Sequence, residues 1–268
     1  MLCSPAYQHL QLLLQERAPL AVAFSGGVDS TLLLKVASDT LGSNCCAVTV
    51  DAPYHFRQEL ADAARFAKQL GVRHLIIPFD PHAVPGLLHN PPNRCYLCKK
   101  ALLSLCLTTL ASCSRSLAPG PWTLADGSTL DDQTAHRPGR KALQELEVRS
   151  LLAEAGFTKA AIRTLSKELG LATWDKPAQS CLLTRFPHEY PVTPLELERV
   201  ERSEAALKQL GFTLVRVRSL GNLARIETDN GERARALLPA IEAACRTAGF
   251  EQIELDPVGY RCGSMDQN

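Results

Sequence analysis

Short unbroken apolar runs alternate with amphipathic stretches along the first half of the chain. Residues 6–16 carry apolar side chains at helical spacing, which predicts an opening helix. Leu20-Ala21-Val22-Ala23-Phe24 is apolar throughout and is followed by a helical pattern over Ser30–Thr40. A second apolar run, Cys45-Cys46-Ala47-Val48-Thr49-Val50, ends at Asp51-Ala52-Pro53. A helical stretch from Gln58 to Leu70 stops at Gly71, and His74-Leu75-Ile76-Ile77 reads as a third strand. Strand–helix–strand–helix–strand with short connections predicts a parallel sheet wrapped by helices. Unbroken apolar strands fit a sheet buried on both faces.

Pro78 to Pro92 forms a proline-rich loop, and a helix runs from there to about Ala111. Trp122-Thr123-Leu124-Ala125 reads as a further buried strand and Lys159–Leu169 as a helix, before a loop over Thr173–Pro191. Thr193-Pro194-Leu195-Glu196 is a helix start with proline at the first helical position. A helix to Leu210, strands Leu214–Arg218 and Ala224–Glu227, a helical stretch to Ala248 and a strand Gln252–Leu255 follow. Pro239 interrupts that last helical stretch, which is kinked there or starts later. The expected organisation is an α/β domain over residues 1–192 and a smaller α+β domain over 193–268.

Composition adds limits. A chain of 268 residues with 46% hydrophobic content can bury a real core. A net charge of +1 gives no electrostatic case for nucleic acid. The start of the chain lacks a basic, then apolar, leader, and no unbroken apolar run approaches the ~18 residues of a membrane helix. The expected setting is cytoplasmic, with no membrane partner. There, ten cysteines read as thiols, metal ligands or catalytic groups rather than structural disulfides.

The most specific chemistry lies in the turn after the first strand, Ser25-Gly26-Gly27-Val28-Asp29-Ser30. Paired glycines permit positive φ and close approach of backbone to a ligand. A helix N-terminus beyond them favours anions, so the turn suits phosphate. Asp29 would repel phosphate, and makes sense if it helps hold Mg²⁺. The competing reading is a capped glycine turn without a ligand. The turn lacks the lysine of a Walker loop and the spacing of a dinucleotide turn. It is similar to the S-G-G-x-D-S signature of the PP-loop ATP pyrophosphatases, which implies cleavage of ATP between the α and β phosphates and transfer of AMP. Asp126, like Ser25 and Asp51, lies where a strand ends, the ligand side of an open α/β sheet.

Cys95 and Cys98 form a C-x-x-C at a helix start, where a helix dipole lowers thiol pKa. The spacing fits a redox pair, half a zinc site, two ligands of an iron–sulfur cluster, or coincidence. Cys181 sits in a polar loop near Arg185. Cys46 and Cys106 fall in apolar periodic stretches and read as core. The adjacent Cys45 and Cys46 point to opposite faces of their strand. Arg216 and Arg218 flank Val217 and share a strand face, either solvated or turned to a ligand.

Several segments resemble one family in order: Ser25–Ser30; Asn93-Arg94-Cys95-Tyr96-x-Cys98-Lys99; Asp126-Gly127-x-x-x-Asp131-Asp132; Arg137-Pro138-Gly139; Lys159-x-x-Ile162-Arg163; Pro177-Ala178-x-x-Cys181-Leu182-x-x-Arg185; and Arg216-Val217-Arg218. This pattern is similar to the LarE family of ATP-dependent sulfur transferases, with an adenine nucleotide alpha hydrolase-like PP-loop fold. The resemblance implies that a carboxylate of pyridinium-3,5-biscarboxylic acid mononucleotide is adenylated and converted to a thiocarboxylate for the nickel-pincer cofactor of lactate racemase. It implies ATP binding at Ser25, Gly26, Gly27, Asp29, Ser30 and Asp126, with Mg²⁺ near Asp29. It implies substrate or phosphate binding at Arg185, Arg216 and Arg218, and assembly as a homo-oligomer. Cys95, Cys98 and Cys181 match a subgroup that carries a [4Fe–4S] cluster; in another subgroup a lone cysteine, matching Cys181, gives up its own sulfur. The family's Asn in the Asp-Gly-Thr-Asn segment is replaced here by Thr129. Other readings are a PP-loop tRNA thiolase, an amidating PP-loop synthetase, or a nucleotide-binding scaffold with a structural metal.

Overall fold

The computed structural model describes residues 4–113, 120–134, 138–261 and 265. Arg137, Cys3 and Cys262 lie outside the described residues. The chain divides into two compact units. One comprises Met1–Ala52, Arg57–Phe79 and Cys95–Ala178; the other comprises Pro53–Phe56, Asp80–Arg94 and Gln179–Asn268. Thr193, the expected start of the smaller domain, falls inside the second unit.

The first unit begins with α1 (Pro5–Glu16), β1 (Leu20–Ala23), α2 (Val28–Leu41), β2 (Cys45–Asp51), α3 (Arg57–Gln69) and β3 (Arg73–Pro78). It continues through α4 (Arg94–Cys113), β4 (Thr123–Ala125), the short helices α5 (Asp131–Thr134), α6 (Arg140–Glu145) and α7 (Leu151–Glu154), and α8 (Lys159–Glu168). The strands form one parallel sheet in the order β3-β2-β1-β4. Leu20 of β1 lies opposite Cys45 on one side and Thr123 on the other. The chain steps outward from β1 to β3 and returns to the free edge of β1 with β4. Strand order therefore reverses at β1, and the crevice beyond the carboxyl ends of β1 and β4 is where such sheets bind ligands.

Alternation along the strands loads two cores. Leu20, Val22 and Phe24 join Leu10, Leu33 and Ile162 from α1, α2 and α8. Ala21 faces the other way, towards Leu103, Cys106 and Leu110 of α4. Cys45 and Cys46 divide between the same two cores, as their adjacency in a strand requires. Among the described residues, α4 is the one helix long and apolar enough to cross a membrane by length and composition, with a mean hydropathy of 1.2. A count of unbroken apolar residues misses it because Lys99 and Lys100 interrupt the run. Leu103, Cys106 and Leu110 pack into the second core, while 17% of the apolar window is buried.

The second unit carries α9 (Pro194–Gln209), β5 (Val215–Leu220), β6 (Leu223–Thr228), α10 (Gly231–Ala236), α11 (Leu238–Ala248) and β7 (Gln252–Leu255). Thr193 caps α9 in a reciprocal box: its Oγ1 accepts from the Glu196 N–H, and the Glu196 carboxylate accepts from the Thr193 N–H. β5 and β6 form an antiparallel hairpin through Gly221-Asn222, with Gly221 at φ +64°. β7 adds in parallel to β6. The stretch interrupted by Pro239 is two helices. They break at Leu237, and Pro239 lies in the first turn of α11, where its missing N–H costs nothing.

Candidate functional site

The Ser25–Ser30 turn lies at the carboxyl end of β1. Phe24 is tied to the sheet by its N–H, which donates to the Val48 carbonyl at 2.8 Å. Gly26 adopts φ +70°, and a Cβ there would come within 3.1 Å of the Ala63 backbone of α3. The turn therefore rests directly on α3 at a position only glycine fills without strain. Ser30 braces the turn from inside. Its Oγ lies 3.1 Å from the Ser25 Oγ and donates to the Gly27 carbonyl at 3.3 Å. The Gly27 N–H donates to the Ser25 Oγ at 3.3 Å. Gly27 caps α2 without a side-chain bond, and Asp29 occupies the first turn, half-buried. This geometry can hold phosphate oxygens at a helix N-terminus.

Asp126 follows β4 and is buried. Its carboxylate accepts from the Ser128 N–H and Oγ, from the Ser150 Oγ at 2.7 Å and from Lys99 Nζ at 3.1 Å. A Cβ on Gly127 would meet the Ser30 N at 3.0 Å, so the β4 loop presses against the first turn of α2. Asp126 and Ser30 thus share the strand-switch crevice. Thr129, fully buried, donates from both its N–H and Oγ1 to Asp132 Oδ2. The hydroxyl here closes the loop internally.

The cysteines separate by environment. Burial pushes the thiols of Cys45, Cys46 and Cys106 up to about 12 and that of Cys245 up to about 11. Cys95 is exposed, and Cys98 and Cys181 are half-buried. Cys95 and Cys98 stand one turn apart at the start of α4, within the first unit. Cys181 belongs to the second unit, as N-cap of a short 3-10 turn over Leu182–Arg185. Cys113, at the end of α4, is half-buried as well. By donor chemistry the thiols of Cys95, Cys98 and Cys181 suit soft metals. Among the described residues, no group of three or more His, Cys, Asp or Glu side chains gathers to hold a metal ion.

Arg185 has no exposed surface. Its Nε and Nη2 donate to the two carboxylate oxygens of Glu204 at 2.8 and 3.0 Å. Its Nη1 donates to the Ser180 carbonyl and Oγ, the Cys181 carbonyl and the Thr184 Oγ1. In this conformation no phosphate can touch it. It shapes the Cys181 turn from within, rather than acting as the expected direct ligand. Arg216 and Arg218, expected to share a face, are both buried. Arg218 donates to Glu227 at 2.6 Å and to the Thr184 carbonyl at 2.8 Å. Arg216 lies over the Tyr260 ring, and its pKa is lowered by burial, then by the charge of Arg185.

Three residues had no role in the sequence reading: Lys99, quoted only within its motif, Lys176 and Glu204. Lys99 reaches Asp126 across 27 positions, Lys176 reaches the Gly26 carbonyl across 150, and Glu204 reaches Arg185 across 19. The sequence signal was position: Lys99 adjoins Cys98, and Lys176 adjoins the Pro177–Arg185 segment.

The Asparagine synthase family model matches residues 8–94. That segment contains β1, the Ser25–Ser30 turn and β2–β3. The chain is 41% identical to the uncharacterized protein slr1717 of Synechocystis over 92% of this chain and 91% of that protein. It is 35% identical to the pyridinium-3,5-bisthiocarboxylic acid mononucleotide synthase of Lactiplantibacillus plantarum over 94% of this chain and 91% of that protein. A tRNA-specific 2-thiouridylase, MnmA of Heliobacterium modesticaldum, is 28% identical over 59% of this chain and 49% of its own length. Turn, sheet order and full-length similarity agree: the chain belongs to the LarE family of ATP-dependent sulfur transferases, within the PP-loop ATP pyrophosphatase superfamily.

Proposed function

We propose that this enzyme adenylates a carboxylate of pyridinium-3,5-biscarboxylic acid mononucleotide, releases pyrophosphate, and replaces carboxylate oxygen by sulfur. The reading is carried by the braced glycine turn at the strand-switch crevice, in a chain related over 94% of its length to the Lactiplantibacillus synthase. Ser25, Gly26, Gly27, Asp29, Ser30 and Asp126 hold ATP, with Asp29 the candidate Mg²⁺ ligand. Mg²⁺ would offset phosphate charge. Arg216 and Arg218 serve the substrate phosphate, and Arg185 acts through the Cys181 turn.

A carboxylate is a poor electrophile because its leaving group would be oxide. One of its oxygens attacks the α-phosphorus, and pyrophosphate departs. The acyl adenylate now carries AMP as leaving group, and a thiolate attacks the acyl carbon. Cys181 is the proposed nucleophile: it expels AMP, and loss of its Cα proton with cleavage of its Cβ–S bond leaves a thiocarboxylate and dehydroalanine. With Cys95 and Cys98 as fellow ligands, Cys181 would instead help hold a [4Fe–4S] cluster whose fourth iron supplies a transferable sulfide. Homo-oligomeric assembly belongs to the same proposal.

The test is the mass of Cys181 and the colour of the protein. Anaerobically purified protein that is brown, and loses its colour in Cys98→Ser, supports the cluster. Colourless protein whose Cys181 loses one sulfur and two hydrogens on turnover supports the sacrificial route. Sulfur incorporation into tRNA and none into the mononucleotide would overturn the proposal in favour of the MnmA-like reading.

A further inference from the structure

Anion binding in the glycine turn requires its backbone N–H groups, not its carbonyls, to face the ligand. A peptide beside glycine flips at little cost, because both signs of φ are open to it. The N–H of the Gly26–Gly27 peptide is held by a long bond to the Ser25 Oγ at 3.3 Å, so a partner on the Gly26 carbonyl would fix the same peptide from its other end. In this structure that carbonyl accepts a hydrogen bond from Lys176 Nζ at 3.1 Å. The same ammonium lies 3.4 Å from Asp62 and 3.9 Å from Glu59, both on α3. Lys176 is itself held. Arg163 of α8 donates to the Trp174 carbonyl and to the Lys176 carbonyl, each at 2.9 Å. Asp62 is held by Gln58 at 3.0 Å and Arg65 at 2.8 Å. The Lys176 side chain keeps only 21% of its surface exposed.

We propose that Lys176 is the positioning residue of the phosphate turn, fixing the Gly26 carbonyl so that the turn is set for the phosphates of ATP. This rests on the reading of the turn as an ATP site. The turn contains no lysine, and Lys176 adds from outside a second hold on the peptide whose N–H Ser25 holds from within. Two acidic partners on α3 anchor the ammonium on its other side, so it braces the turn against the helix on which Gly26 rests. Lys176 lies upstream of Cys181 in the same stretch of chain, so the segment that leads to the sulfur donor also sets the ATP turn.

The test uses the full-length protein with ATP and inorganic pyrophosphate as probes, measured by calorimetry at low and at high salt. Lys176→Met is expected to weaken both about tenfold, a loss of about 1.4 kcal/mol. The melting temperature and the affinity of the mononucleotide substrate should stay near those of the wild type. The ratio of variant to wild-type affinity should persist at high salt, because a fixed peptide orientation is not screened as a bare charge is. Lys176→Arg should restore part of the loss. Wild-type affinity for both probes in Lys176→Met overturns the proposal. So does a deficit that vanishes at high salt, which would make Lys176 a charge and not a brace. Failure of the wild type to bind either probe would instead overturn the ATP reading itself.

Discussion

At the scale of single residues, burial decides which side chains can react. A thiol pushed up to about 12, as for Cys45, Cys46 and Cys106, carries almost no thiolate near neutrality. Native protein titrated with a thiol reagent near neutral pH should react fast at Cys95, Cys98 and Cys181 and slowly at Cys45, Cys46, Cys106 and Cys245. Peptide mapping after a short pulse checks this, and prompt labelling of Cys46 would count against it. The same raised values have a stability consequence. The folded thiols hold their protons above the pH at which the unfolded ones lose them. Their contribution is complete below about pH 9 and is lost as pH rises towards about 12. Melting temperature measured against pH should therefore fall across that window. Arg185 illustrates what residue identity alone cannot convey. Its place four residues after Cys181 suggested a ligand, but its carboxylate partner Glu204 comes from α9 and encloses it. Removing one partner of such a fully buried pair costs about 3–5 kcal/mol. Arg185→Ala should lower the denaturation midpoint accordingly, and an unchanged midpoint would contradict the assignment.

Elements were the most legible level of the sequence. Strands β1 and β2 were visible as unbroken apolar runs because both faces of the sheet are covered, β5 by the alternation of Arg216-Val217-Arg218, and α9 by the proline at its first position. The pairing of β4 with β1 was not visible, since nothing local encodes which edge a distant strand joins. That pairing brings Gly127 onto Ser30 and makes a crevice of two separate motifs. Gly127→Ala tests the contact. Its methyl would push against backbone, so ATP affinity should fall about tenfold, or about 1.4 kcal/mol, with little change in the far-ultraviolet spectrum. Unaltered affinity would show that the two loops need not touch. The salt-linked lysines were illegible for the same reason as β4: Lys99 and Lys176 meet their partners only across long sequence separations.

For the whole molecule, the chain is an ATP-dependent sulfur transferase of the LarE family, and the proposed chemistry gives each of its unusual features a task. In that proposal the glycine turn and Asp126 would activate a carboxylate, Cys95, Cys98 and Cys181 would deliver sulfur, and Arg216 and Arg218 of the second unit would serve an anionic substrate. Adenylation is the central claim, and isotope transfer reads it directly. Pyridinium-3,5-biscarboxylic acid mononucleotide labelled with heavy oxygen in its carboxylates is turned over with ATP, and the AMP is examined by mass spectrometry. The account predicts one heavy oxygen in the AMP phosphate for each thiocarboxylate formed, with pyrophosphate released in equal amount. AMP without label, or cleavage of ATP to ADP, would contradict it.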